Sequence, residues 1–338
     1  MRWTKSCRNN ARRDSLRRLF CSILLALLSG GALCQETTLR SQSNIVLIPA
    51  LVKDAQGGVV YGLEAKNFVV EDNGVEQAVR LDETPEGQPI SLVIAIQKGR
   101  RASYEFPRMK GLKSMIDPLF ATGTARAAVV EFDSQVQLTR NFTSGESLID
   151  ADLTNLQAGD DGATILDAIQ YAVNLLDKEP QERLRVVLLI SETRDHGSHV
   201  KIDDVVAAIG RCNAVMYALA FSPALSNILD TGRGMNKNEM HDGINFLDLA
   251  YRMAQAMRKN VPSTMAAMTG GEYELFATRK KFDVRMNDFT NHLHSRYLLS
   301  VAPKNPRPGL HQIRVRVNGA GDATVLARSN YWAEGSPQ

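Results

Sequence analysis

The 338-residue chain exceeds the usual single-domain size of about 100 to 200 residues, so one full α/β domain with smaller attachments is the natural partition. With 44% hydrophobic and 23% charged residues it has ordinary globular composition, which excludes a disordered chain. The formal charge of +3 derives from the N-terminus, and no basic patch with interleaved aromatics follows it, which excludes the usual signature of a nucleic-acid partner.

Arg2, Lys5, Arg8, Arg12, Arg13, Arg17 and Arg18 precede an apolar run from Leu19 to Leu33 that closes on Ala32-Leu33-Cys34-Gln35. This order predicts a signal peptide over residues 1–34. The run is shorter than the roughly 20 residues of a stable membrane span, and Ala32 and Cys34 are small enough for a cleavage site. An uncleaved anchor or a buried N-terminal helix is the alternative, and Leu33 is too bulky for a lipoprotein signal. Without this leader, which holds seven basic residues and one acid, the formal charge falls from +3 to −3. Cys212 is then the one cysteine left, so no internal disulfide can form. The expected location is periplasmic, cell-surface or secreted, with no stable membrane span in the mature chain. Asn141-Phe142-Thr143 fits a glycosylation sequon, a three-residue match read as chance.

Residues 35–88 form an N-terminal β segment. A strand over Asn44 to Val52 and a turn over Asp54 to Gly58 are expected, then a hairpin in which Phe68 to Val70 faces Ala78 to Leu81 across Glu71-Asp72-Asn73-Gly74. Asn-Gly between apolar runs is a strong hairpin signal. Asp82 to Gln88, rich in proline and acids, reads as a linker.

Residues 89–295 alternate strand and helix. The apolar run Ile90 to Ile96 is too short for a helix and suits a strand covered on both faces. A helix over Phe106 to Phe120 follows, with Pro107 in its first turn, then a tight strand pair, Ala127 to Phe132 and Val136 to Leu138, around Asp133-Ser134. Thr143 and Glu146 fit a capping box for a helix to Leu156. Ile165, Leu166, Ile169, Ala172, Val173 and Leu176 recur at helical spacing and define a buried face. Leu184 to Ile190, Ala214 to Phe221 and Glu272 to Phe276 are further strands, with a helix over Ile202 to Cys212. A long Gly/Asn/Met-rich excursion, Ser222 to Gly243, leads into a helix over Asn245 to Lys259, and Phe282, Met286, Phe289 and Leu293 mark a closing helix. The alternation implies a doubly wound, mostly parallel sheet.

In residues 296–338 strands return: Tyr297 to Ala302, then Ile313, Val315 and Val317 alternating with Arg314 and Arg316, then Ala323 to Tyr331 pairing with that strand. The two terminal segments are expected to pack as one small β unit, with the α/β domain inserted between its halves.

Ligands of a doubly wound sheet sit at the carboxyl ends of its strands, where the strand order reverses. Three loops converge there: Gln97 to Ala102, Asp160 to Thr164 and Ser191 to His199. With Pro89-Ile90-Ser91-Leu92-Val93, Gly162-Ala163-Thr164-Ile165-Leu166-Asp167-Ala168-Ile169, Val186 to Ser191, Thr269-Gly270-Gly271 and Tyr297-Leu298-Leu299, the chain resembles von Willebrand factor A domains, in particular the VWFA-related proteins of acidobacteria. The resemblance extends through Asn67-Phe68 to Gln77 and Arg314-Val315-Arg316-Val317. It implies a sheet of about six strands flanked by helices, and protein binding rather than catalysis.

Such domains commonly hold a divalent cation through Asp-x-Ser-x-Ser in the first loop, a Thr in the second and an Asp in the third. Here the aspartate aligns with Gln97 and the serines with Gly99 and Arg101, while Thr164 matches and Glu192 stands in the third loop. Lys98, Arg100 and Arg101 add positive charge where a hard cation such as magnesium needs oxygen ligands. The expectation is therefore no metal and no other cofactor; Thr164, Glu192 and Asp161 would be the ligands if one bound. Gln97, Lys98, Gly99, Arg101, Thr164 and Glu192 are then candidate positions for a protein partner, with Lys98 or Arg101 paired to Glu192 or to a partner's carboxylate, or else simply solvated.

The expected function is an exported, non-enzymatic adhesion or scaffold module. One alternative is metal-dependent adhesion. Another is a metal-dependent hydrolase using Glu192, Asp195, His196 and His199, although their spacing matches no helical zinc motif. His292 and His294, two apart on a helix, should point in different directions. No Gly-x-Ser-x-Gly elbow is present, and Cys212 ends a helix, where the dipole does not favour a thiolate. As a scaffold, the excursion and Met253, Met257, Met265 and Met268 would form the contact surface, although methionines at such spacing are more often core.

Overall fold

The computed structural model describes residues 45–82, 88–121, 123–221, 246–303 and 306–333. The expected signal peptide, residues 83–87 of the expected linker over Asp82 to Gln88, and the 222–243 excursion lie outside the described residues.

Strand β1 (Val46–Lys53) opens the chain, and the turn after it forms as expected, with Asp54 Oδ1 accepting from the Gln56 and Gly58 amides at 2.9 and 2.7 Å. β2 (Phe68–Asp72) and β3 (Val75–Gln77) make the hairpin on Asn73-Gly74, both at positive φ (49° and 82°), as a tight right-twisted turn requires. The expected partner strand over Ala78 to Leu81 is a correction: β4 (Val79–Asp82) leaves the hairpin for another sheet.

Strand β5 (Ile90–Gln97) is buried at every position, and the expected helix over Phe106 to Phe120 is divided. Its parts are a 3-10 turn (Phe106–Met109) holding Pro107 and α2 (Leu112–Phe120), and a short helix that was not expected, α1 (Arg100–Ser103), precedes them. The pair β6 (Arg126–Phe132) and β7 (Val136–Thr143) follows, then α3 (Glu146–Thr154). Gly145 caps α3 without a side-chain bond, so the expected capping box does not form; the Thr143 hydroxyl accepts from the Gly145 amide instead, at 3.0 Å.

α4 (Ile165–Leu176) buries all six apolar residues picked out by periodicity. β8 (Leu184–Ser191), α5 (Ile202–Cys212), β9 (Val215–Ala220), α6 (Phe246–Lys259), α7 (Val261–Thr269), β10 (Tyr273–Leu275) and α8 (Arg279–His294) complete the α/β part. The sheet order β10-β9-β8-β5-β6-β7 is parallel except for β7. Apolar clusters fill both faces of this sheet, which is why its central strands read as continuous apolar runs.

The C-terminal strands are β11 (Tyr297–Val301), β12 (Gly309–Val317), β13 (Thr324–Ala327) and β14 (Asn330–Ala333). They interleave with the N-terminal ones in two antiparallel sheets, β13-β1-β11-β4 and β14-β12-β2-β3. Ile48, Val70, Leu299, Ile313 and Tyr331 share the core of this sandwich. The single expected strand over Ala323 to Tyr331 is corrected to two strands in different sheets, because the chain changes sheet at Arg328-Ser329.

Candidate functional site

The strand order reverses about β5, which has β6 on one side and β8 on the other, so the loops after β5 and β8 face each other at the carboxyl edge. Gln97 ends β5 and Glu192 follows β8, and the two side chains meet in the interior, 1% and 6% exposed. Gln97 Oε1 accepts from the Glu192 amide at 2.8 Å, and Gln97 Nε2 donates to Glu192 Oε1 at 3.2 Å. The loops are thus clasped by reciprocal hydrogen bonds through a neutral amide.

Backbone packing closes the rest of the edge. A Cβ added at Gly99 would lie 2.6 Å from the Gly162 carbonyl oxygen and 3.1 Å from that of Asp160. One added at Gly162 would lie 2.2 Å from the Ser134 nitrogen. The Asp160 carboxylate accepts from the Ser134 hydroxyl and from the Ser134 and Gly162 amides (2.9 and 2.8 Å), and the Ser134 hydroxyl leads in holding its pKa below the usual range. Buried Thr164 directs its amide and its hydroxyl at the Asp133 carbonyl, 2.9 and 3.0 Å away. The Asp133-Ser134 turn is thus the hub of the second loop, and nothing but its place between two short strands marks it in the sequence.

Of the predicted positions, Gln97, Gly99, Thr164 and Glu192 come together but are buried, while Arg101 on α1 and Asp161 are exposed. The Lys98 ammonium reaches Gln137 Oε1 at 3.3 Å and Glu131 at 3.6 Å, so the expected pairing of Lys98 with Glu192 is not formed.

The third loop is tied to the start of α4. Asp195 Oδ1 accepts from the Leu166 amide at 3.0 Å and from the Ser198 hydroxyl at 2.6 Å. Asp167, whose role periodicity did not reveal, accepts from the His199 and Val200 amides at 3.0 and 2.9 Å and meets His199 Nδ1 at 3.2 Å. Glu192 points inward to Gln97 while His196 and His199 are exposed, so the hydrolase constellation does not converge. Among the described residues, the three acidic or imidazole groups whose ligand atoms lie within 4.8 Å of one another are Asp117, Glu146 and Asp150, on α2 and α3. His292 is buried against Glu272 at 2.7 Å and His294 is exposed, in the divergent directions expected. Met253, Met257, Met265 and Met268 are all buried, so they serve the core rather than a contact surface.

A family model described as the von Willebrand factor type A domain matches residues 99–194, from the first loop through the third. That segment is von Willebrand factor A-like. Three strands of the six-stranded sheet, β5, β9 and β10, lie outside the matched stretch. Among solved structures, the chain is similar to the vWF domain of the type V pili tip protein Mfa5 from Porphyromonas gingivalis, at 16% identity over 32% of this chain and 38% of that one, with a TM-score of 0.28. It is also similar to the PilB minor pilin from Streptococcus sanguinis (14% identity, 64% of each chain, TM-score 0.41). A third is the conserved hypothetical protein BatB from Bacteroides thetaiotaomicron (11%, 60% of this chain and 98% of that one, TM-score 0.39). The chain thus spans less than two thirds of the Mfa5 and PilB chains. Comparison with curated proteins gives no match.

Proposed function

We propose that the protein is an exported, non-enzymatic adhesion or scaffold module whose von Willebrand A edge engages a protein partner without a metal. The observation that carries this reading is the Gln97–Glu192 clasp. A hard divalent cation needs several oxygen ligands converging from the loops. At the first-loop position the family fills with aspartate, this chain has an amide whose oxygen and nitrogen are both engaged with Glu192. Gly99 supplies no hydroxyl, and its contact with Gly162 leaves no room for a serine. Arg101 brings positive charge instead, so the residues present do not fit a magnesium-type ion.

Recognition then falls to the exposed cation Arg101, presented above a rigid, buried clasp and available to a partner's carboxylate. No described helix is long and apolar enough to cross a membrane.

Calorimetric titration of the purified chain with magnesium, manganese and calcium tests this, alongside Thr164→Ala and Glu192→Gln. No saturable heat is expected from any of the three proteins. Saturable binding that is lost in both variants would restore metal-dependent adhesion.

A further inference from the structure

A groove of about 660 Å³ opens on the β10 side of the six-stranded sheet, between the α/β part and the sandwich, and three strand edges line it. β10 ends the central sheet and β13 ends its own, so among the described residues each has one side without a neighbouring strand. The third edge is internal. β14 pairs with Gly309 to Gln312 of β12, the chain before it diverges at Ser329, and among the described residues Ile313 to Val317 have β2 on one side and no strand on the other.

The bonding phase of this vacant half-slot follows from one contact. Ile313 donates its amide to the Ser329 carbonyl at 2.8 Å, on the side away from β2. Residues two apart in a strand present their backbone groups the same way, so Val315 and Val317 direct N–H and C=O away from β2, Val315 into the groove and Val317 just past its end, while Arg314 and Arg316 bond to β2. No described residue pairs with the backbone of Val315 or Val317 on that side. Unpaired strand backbone is a template for another strand.

Charge selects the occupant. The groove's acids are engaged: Glu272 by Lys53 at 2.7 Å, Glu274 by Arg285 at 3.2 Å and Asp54 by backbone amides. Its cations are in excess, for Arg314 and Arg316 share the single carboxylate of Glu71, and Arg328 bonds to the Asn330 and Gly210 carbonyls and the Asn213 amide oxygen, with no acid among the described residues. A second copy would set two arginine-bearing β12 edges against each other, which disfavours self-pairing.

We infer that this groove takes an extended, acidic segment of a partner protein as an added strand along Ile313 to Val317, in line with β14. The inference does not rest on the proposed use of the carboxyl edge, since Arg101→Ala should leave it intact.

The test is selection of a phage-displayed library of random dodecapeptides on the full chain, with each enriched peptide then synthesised and titrated by fluorescence anisotropy. Enriched peptides should be net acidic and free of central proline, and should slow hydrogen exchange at the Val315 and Val317 amides. They should bind Val315→Pro, which removes one groove-facing N–H and no bond to β2, at least tenfold more weakly. If that variant melts lower than the parent, Arg314→Ser/Arg316→Ser serves in its place, with the same tenfold loss expected. An unenriched library, basic winners, or winners that bind the variants as well as the parent would overturn the proposal. Self-association that disappears in Val315→Pro would overturn it in favour of a second copy.

Discussion

In the Gln97–Glu192 pair a neutral amide satisfies a buried carboxylate oxygen and a backbone donor at once. Gly99 is held to glycine by the carbonyl 2.6 Å from its missing Cβ. Gly99→Ser, which restores a family hydroxyl, should therefore lower stability by about 1 to 3 kcal/mol in urea unfolding rather than create a metal site. Cys212 behaves as a core residue: burial pushes its thiol up to about 11 against the opposing charge of Arg185. It should resist a thiol reagent at about pH 8 in the native protein and react once unfolded, as read by mass spectrometry of its peptide. At this scale the loop motifs of the sequence picked out these positions as candidates. The partners lay outside its reach, since hydrogen bonds such as Gln97 to Glu192 join residues 95 apart in the chain.

At the scale of elements, α4 illustrates both what pattern conveys and what it leaves out. Its apolar face was legible because burial on one side of a helix imposes a 3.6-residue period. Ile169→Ala on that face should cost about 2 to 5 kcal/mol, measured by denaturant unfolding. Its N-terminus was not legible, since the carboxylate that accepts the Leu166 amide comes from Asp195, on a different loop. Asp195→Ala should cost about 0.5 to 2 kcal/mol by the same measurement, with the Ser198 hydroxyl also losing its acceptor. The capping box at Thr143 and Glu146 failed for the complementary reason. The motif is local, but the backbone there places Gly145 at the cap.

For the whole molecule, the sandwich and the α/β part belong to one compact unit, and a half-buried ion pair, Lys53 to Glu272, joins them. Glu272, beside β10, meets Lys53 of β1 and His292 of α8, each at 2.7 Å. Burial alone would raise its pKa, but the His292 and Lys53 hydrogen bonds outweigh burial and take it from 4.5 to about 2. A depressed acid contributes stability above its unfolded value, and that stability is lost as pH falls from 4.5 towards about 2. Thermal melts across that interval should lose about 3 kcal/mol through this group, and Glu272→Gln should flatten the profile while lowering stability near neutrality. Because β1 lies between β11 and β13, and β2 beside β12, a chain ending at Ser295 would leave the apolar faces of Ile48 and Val70 without partners. It should precipitate or expose dye-binding surface on expression.

The sequence by itself determined the doubly wound sheet, its strand succession and the three loops brought to its carboxyl edge. Apolar run length, helical period and turn residues are local consequences of which backbone faces are buried. Tertiary structure alone decided how β4, β13 and β14 divide between two sheets, why Gln97 faces Glu192, and where β12 is left half uncovered. Those outcomes depend on which distant strands and loops meet, and strand pairing carries no local period by which a sequence could announce its partner.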